Sequence, residues 1–256
     1  MKEQGCKICI PKAKPEGVWG YYYADDNNGA IIECECHKTW KRVLKVDFLR
    51  SHSSIPETEF SVLDASWTNK TESINNIIKL VDNFSYDSPL KSLPMYLYGP
   101  PNSGKTLSLY WIGNSLLDKG FSVKYSQYLS FLSDICPTSY EKDDMSLSKT
   151  NVSKYLSVDV LMIDRCFEQL QSPLNNWQIY QLESFLERRI HQEKKCTILS
   201  SRQLPTSTKK GYESYESVFS LILSETKKNK SQLLMPLLEE EVNTSDIWSK
   251  LDAKKR

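Results

Sequence analysis

Apolar residues along this chain fall into two patterns, and their alternation predicts the fold. Leu93 to Tyr98, Val158 to Asp164 and Cys196 to Ser201 are short, nearly unbroken apolar runs. Such runs suit strands buried on both faces of a sheet. Phe121-Ser-Val-Lys-Tyr125 instead alternates apolar with polar, the period of a strand with one wetter face. Between these runs, apolar residues recur at helical spacing. They do so at Ile74, Ile77, Ile78 and Val81 within Thr71 to Phe84, then in Leu107 to Leu117, Gln127 to Ile135, Trp177 to His191 and Tyr215 to Leu223. Asp118-Lys-Gly120 stops one helix, and the polar stretches Tyr86 to Ser92 and Cys136 to Lys149 read as loops. Strands alternating with helices predict an α/β domain, a parallel sheet flanked by helices.

The beginning of the chain reads differently. Val18 to Tyr23 and Ala30 to Ile32 predict two short strands around the turn cluster Asp25-Asp-Asn-Asn-Gly29. Thr39 to Arg50 is basic and carries Trp40, Val43, Leu44 and Phe48 at helical spacing. That helix is either a face for a partner or DNA, or a solvated helix packed on the hairpin. Ser51 to Asn69 is rich in Ser, Thr, Glu and Pro and reads as a connector. The predicted organisation is a module over 1–50, a connector over 51–70, an α/β domain over 71–235 and a tail over 236–256.

Composition narrows the classes. A chain of 256 residues has room for one α/β domain and a small appendage. Its 33 Lys+Arg against 32 Asp+Glu exclude a uniformly basic coat but leave room for a local basic patch. Lys227 to Lys230 and Lys254 to Arg256 are runs of that kind, either solvated or set against DNA phosphates. No apolar run approaches the ~20 residues of a membrane helix. Met1 to Cys6 lacks the apolar core of a signal peptide, so a cytoplasmic location without membrane contact is expected.

The chemistry begins where the first buried run ends. Gly99, Pro100, Pro101, Asn102, Ser103, Gly104, Lys105 and Thr106 fit G-x-x-x-x-G-K-[ST] between a strand and a helix. A helix N-terminus has unpaired N–H groups and a partial positive charge that attract phosphate. The glycines let the backbone wrap closely around the anion. Lys105 adds a full charge at the β/γ-phosphates, and the Thr106 hydroxyl is placed to ligate Mg²⁺.

A second apolar run ends in Asp164, at the sheet edge where α/β ligands bind. It fits the Walker B pattern, in which the terminal Asp holds the Mg²⁺. Thr106 and Asp164 are therefore the expected magnesium pair beside bound ATP. A third run ends in Ser200 and Ser201 at the same edge.

Cysteines mark the N-terminal module. Cys6-x-x-Cys9 and Cys34-x-Cys36 supply two close thiolate pairs, with His37 in reserve. Thiolate pairs brought together by a hairpin can hold Zn²⁺ tetrahedrally, and so small a hairpin needs a staple. The other reading is of buried or incidental cysteines. Cys136, Cys166 and Cys196 are scattered and read as small core residues.

The order of these features resembles the DnaC/IstB-like AAA+ ATPases, in their helicase-loader branch. The carriers are Tyr98 to Thr106, Phe121 to Tyr125, Val158 to Asp164, Thr197 to Arg202 and the N-terminal cysteine pairs. The resemblance implies an AAA+ type P-loop NTPase with a small zinc-binding module. It implies an ATP-binding oligomer that grips a ring-shaped replicative helicase and places it on single-stranded DNA. Transposition helpers of the same branch, which bind duplex DNA and a transposase, are the alternative; a non-hydrolysing NTP-binding adaptor is another.

Three positions depart from the pattern. Arg165 stands where the family has a second acid, and an arginine stays protonated and cannot act as a base. Glu168 is the nearest acid in sequence and takes the catalytic role beside Lys105 and Asp164 in this reading. The sensor position falls on Ser201 and Arg202. No arginine stands in Tyr215 to Ser224, where a trans-acting one is expected, which leaves Arg188, Arg189 or Arg202 as substitutes. Binding is thereby expected to outlast efficient hydrolysis.

Overall fold

A computed structural model of the chain describes residues 21–23, 31–56, 72–88, 94–136, 151–167, 174–202, 215–228 and 234–236. They fall into two units that divide between Ser51 and His52.

In the first unit, strands β1 (Tyr21–Tyr23) and β2 (Ile31–Glu33) pair antiparallel, with Tyr21 opposite Glu33. Helix α1 (Glu35–Ser53) follows and starts earlier than its apolar spacing predicts. The cause lies at Cys34, whose carbonyl accepts the N–H groups of His37 and Lys38 and so winds the first turn. Val43, Leu44 and Phe48 on this helix stay exposed.

The second unit is built on a sheet. Its elements in chain order are α2 (Glu72–Asp82), β3 (Pro94–Tyr98), α3 (Lys105–Asp118), β4 (Val123–Gln127) and α4 (Tyr128–Ile135). There follow α5 over 151–157, β5 (Val160–Asp164) and α6 (Asn176–Glu187), which runs on into a π-helical turn Arg188–Gln192. The last are β6 (Cys196–Ser201), α7 (Glu216–Lys228) and β7 (Leu234–Pro236). All neighbours in the sheet are parallel, in the order β4-β5-β6-β3-β7.

Burial follows from that order. The inner strands β5 and β6 are buried at every residue, and β3 at all but its last. Edge strand β4 carries exposed or half-buried polar residues at Lys124 and Gln127. The other edge is the three-residue β7, too short to offer a long pairing template. Two elements escape the periodicity reading. Helix α5 is too short to show a period, and β7, three residues at the boundary of the predicted domain and tail, is shorter still.

Strand residues alternate between two helical layers. Tyr96, Leu161, Ile163 and Leu199 join Phe131, Phe185, Leu186, Val218 and Phe219 of α4, α6 and α7 in one core. The opposite face meets α3, on which α2 packs. There Gly113 lets α3 lie close: a Cβ on it would come within 2.5 Å of Met162 Cε and 2.4 Å of Ile55 Cδ1. Ile55, read as connector, is thus a buried part of the second unit. Cys136, Cys166 and Cys196 are buried, and burial pushes the Cys136 thiol up to about 11 and the Cys196 thiol up to about 12.

Candidate functional site

The loop between β3 and α3 turns on two left-handed residues, Asn102 with φ 62° and Gly104 with φ 84°. Glycine takes that conformation without strain, and asparagine tolerates it better than most residues. Gly104 also stands at the head of α3, where its carbonyl accepts the Ser108 N–H at 2.8 Å and no side chain caps the helix. Lys105 is buried and reaches back across the loop. Its Nζ donates to Gly99 O at 2.8 Å, Pro100 O at 2.6 Å and Ser103 Oγ at 3.2 Å. The loop is therefore a backbone cradle with an ammonium at its centre, a built anion site.

Strand register brings the acid to the loop. Asp164 has the parity of Met162, so it faces α3. Thr106 Oγ1 donates to its Oδ2 at 2.7 Å. Tyr125 stands opposite Met162 in the register and reaches up the same face to donate to Oδ2 at 3.0 Å. Tyr110 of α3 donates in turn to the Tyr125 hydroxyl at 3.5 Å. Burial and the neighbouring Asp164 carboxylate hold the Tyr125 phenol far above its ordinary range, so it remains a donor. On the other oxygen, Ser200 Oγ donates to Oδ1, and the Arg165 N–H does so at 3.0 Å.

Strand β6 fastens the two halves together. Gly99 N–H donates to Ser201 O, and Cys166 N–H donates to Ser200 O at 2.7 Å. Ser201 is wholly buried and its Oγ donates to Cys166 O at 2.8 Å. Ser201 therefore joins the two halves, and the next residue, Arg202, lines the cavity. The cavity measures about 350 Å³ and is lined by Pro101 to Leu107 together with Tyr110, Asp164, Arg165 and Arg202. Gly99 and Pro100 act from behind it, through the carbonyls that hold Lys105. The periodicity reading had no signal for Tyr110 and Tyr125; the parallel register supplies it.

Thr106 and Asp164 offer a hydroxyl and a carboxylate side by side, the hard oxygen set that suits Mg²⁺. Bound there, the ion would neutralise phosphate charge; the chain's own part is to hold both oxygens at the cavity wall. Glu168, Cys6 and Cys9 lie outside the described residues. Cys34 is buried, Cys36 half-buried, and the buried His37 ring bonds Glu33 Oε1 through Nδ1 at 2.7 Å. That bond and Lys41 hold the Glu33 carboxyl below its ordinary range, Lys41 contributing more. Among the described residues no cluster of three or more His, Cys, Asp or Glu side chains is placed to hold a metal, so the described part of the module is not in itself a zinc site.

The substitute arginines sort clearly. Arg189 is wholly buried in the π-helical turn. It donates to Thr197 Oγ1 and to the carbonyls of Tyr155, Leu156, Val158, Asp159 and Cys196. Desolvation lowers its guanidinium to about 10, still charged at neutral pH. A side chain so occupied cannot reach another subunit. Arg188 bonds Glu193 at 3.3 Å. Only Arg202 of the three lines the cavity.

No protein-family model matches the chain. A stretch of 170 residues, 63% of the chain, is 27% identical to the chromosomal replication initiator protein DnaA of Aliarcobacter butzleri and covers 36% of that protein. The chain thus spans about a third of such curated relatives. Among solved structures, the replication initiator DnaA bound to AMPPCP and single-stranded DNA superposes with TM-score 0.52 at 19% identity, over 76% of this chain and 56% of that one. DnaI superposes with TM-score 0.51 at 19% identity, over 71% of this chain and 94% of that one. Parallel sheet, loop and acid together define a P-loop NTPase fold, the fold seen in these DnaA and DnaI structures. The resemblance to DnaC/IstB-like AAA+ proteins holds at that level, within a group of folds that includes the replication proteins DnaA and DnaI. Among the described residues no helix is long and apolar enough to cross a membrane.

Proposed function

We propose that this chain is a cytoplasmic, ATP-binding helicase loader of DNA replication, acting as a homo-oligomer that hands a ring helicase to single-stranded DNA. The observation that carries the nucleotide reading is the bond from Thr106 Oγ1 to Asp164 Oδ2 beside the Lys105 cradle. It keeps the hydroxyl and the carboxylate that would hold Mg²⁺ beside the phosphate loop. In the loader reading, Gly99 to Thr106 wrap the phosphates, Lys105 and Asp164 act at the reacting end, and Ser201 fixes the loop from behind. Zn²⁺ on Cys6, Cys9, Cys34 and Cys36, or on His37 in place of one cysteine, staples the first unit. The exposed Val43, Leu44 and Phe48, set among Lys41, Arg42 and Lys45, suit α1 to a protein partner.

Hydrolysis is slow in this reading, because Arg165 cannot orient water as a base. Binding of a fluorescent ATP analogue to the full chain tests the site. Lys105→Ala is expected to lose at least about tenfold in affinity, since it removes a charge-assisted phosphate contact. Capture of a replicative helicase with and without ATP tests the role. Unchanged nucleotide binding by Lys105→Ala refutes the site, and helicase capture indifferent to ATP refutes the loader.

A further inference from the structure

We infer that Arg165 reads the terminal phosphate, so that the site discriminates triphosphate from diphosphate in cis. The inference rests on the nucleotide reading above and adds the residue that senses nucleotide state.

Among the described residues, the charges on the cavity wall are Lys105, Arg165 and Arg202 against the carboxylate of Asp164. That carboxylate is occupied: Thr106 and Tyr125 donate to one oxygen, Ser200 and the Arg165 N–H to the other. It forms no ion pair with the Arg165 guanidinium, whose residue is exposed at the cavity. The backbone of Arg165 is fixed more firmly than its exposure suggests. It adopts φ 59°, and its N–H is shared between Asp164 Oδ1 at 3.0 Å and Ser200 Oγ at 3.1 Å. A β-unbranched residue held left-handed at a functional edge is strain with a purpose, because the fold must overdetermine it.

Position assigns the phosphate. Lys105 is drawn to the carbonyls of Gly99 and Pro100, at the closed end of the loop. Arg165 directly follows β5, which β6 separates from β3, and it lines the same cavity as the loop. A phosphate chain seated on the α3 N-terminus extends from the first toward the second, so the group that meets Arg165 is the distal one. A guanidinium offers a planar fork to phosphate oxygens and stays charged while doing so. The residue therefore favours the triphosphate, and it cannot take a proton from water to consume it. Arg202 contributes to the same wall.

Calorimetric titration of the full chain with ATP and with ADP, both with Mg²⁺, tests this. Wild type is expected to prefer ATP. Arg165→Ala is expected to weaken ATP about tenfold or more, the scale of one lost charge-assisted bond, and to leave ADP within about twofold. Arg165→Lys should retain part of the preference. Unchanged melting temperatures show that the variants fold. Equal weakening of both nucleotides, or weakening of neither, overturns the inference, as does a preference that vanishes only in Arg202→Ala. Loss of both nucleotides in Lys105→Ala supports the shared site; a wild type that binds neither nucleotide overturns the nucleotide reading and this inference with it.

Discussion

A single arginine shows how misleading a charged residue in a helix pattern can be. Arg189 lies beside Arg188 in sequence and looks equally available, yet it is wholly buried. The π-helical turn places it inside, where it gathers the carbonyls of Tyr155, Leu156, Val158 and Asp159 at the end of α5 and ties them to β6. Its charge is stabilised by acceptors and has no carboxylate among its bonded partners. Arg189→Leu strands those acceptors and is expected to cost about 3–5 kcal/mol in urea unfolding. Arg189→Lys should recover only part, since an ammonium cannot present the same fork. Near-wild-type stability in the leucine variant would contradict this account. The sequence gives no hint of the burial, because its acceptors sit some thirty residues away and on another strand. Lys105 and Thr106 were legible for the opposite reason, since a phosphate loop demands fixed local spacing, and Asp164 because it ends an apolar run.

At the scale of elements, the inner strands were readable because burial on both faces leaves unbroken apolar runs. Their ends shift by a residue or two, as at β5, which begins at Val160 rather than Val158. Helix α5 was not readable, being a short segment held by contacts from Arg189 and Lys195. Strand β7 is equally short, and its pairing with β3 is a tertiary fact. The packing of α3 gives a sharper test. Gly113→Ala pushes a methyl against Met162 and Ile55, both of which end in flexible groups. The expected loss is about 1–3 kcal/mol, the ordinary scale of overpacking, read from the denaturation midpoint. A neutral result would mean that Ile55 moves aside freely. Ile55 was placed in the connector because it stands alone among polar residues; its burial belongs to the three-dimensional packing.

For the whole molecule, the division between Ser51 and His52 separates two kinds of stabilisation. The second unit has a broad aromatic and aliphatic core, whereas the described residues of the first form two paired strands and one helix. A hairpin of that size is marginal in water, and this is the physical reason for expecting metal. The full chain is predicted to carry about one zinc ion, by mass spectrometry of metals, and Cys34→Ser to lose it while ATP affinity in the second unit holds. Metal-free chain with an intact first unit would remove zinc from the description. Fold and phosphate loop were legible in the sequence, since both rest on periodicity and spacing. The coupling of Asp164 to Tyr125 and Ser200 was not, since it needs the strand register.

The tip of β6 carries a mechanical implication. Ser201 O holds Gly99, Ser200 O holds Cys166, and the Ser200 and Ser201 hydroxyls grip Asp164 and the turn after it. The phosphate cradle and the acidic turn are thus two jaws riveted to one post. A force that opens either jaw is delivered to the other, and an occupant that tightens the cradle tightens the turn in the same stroke.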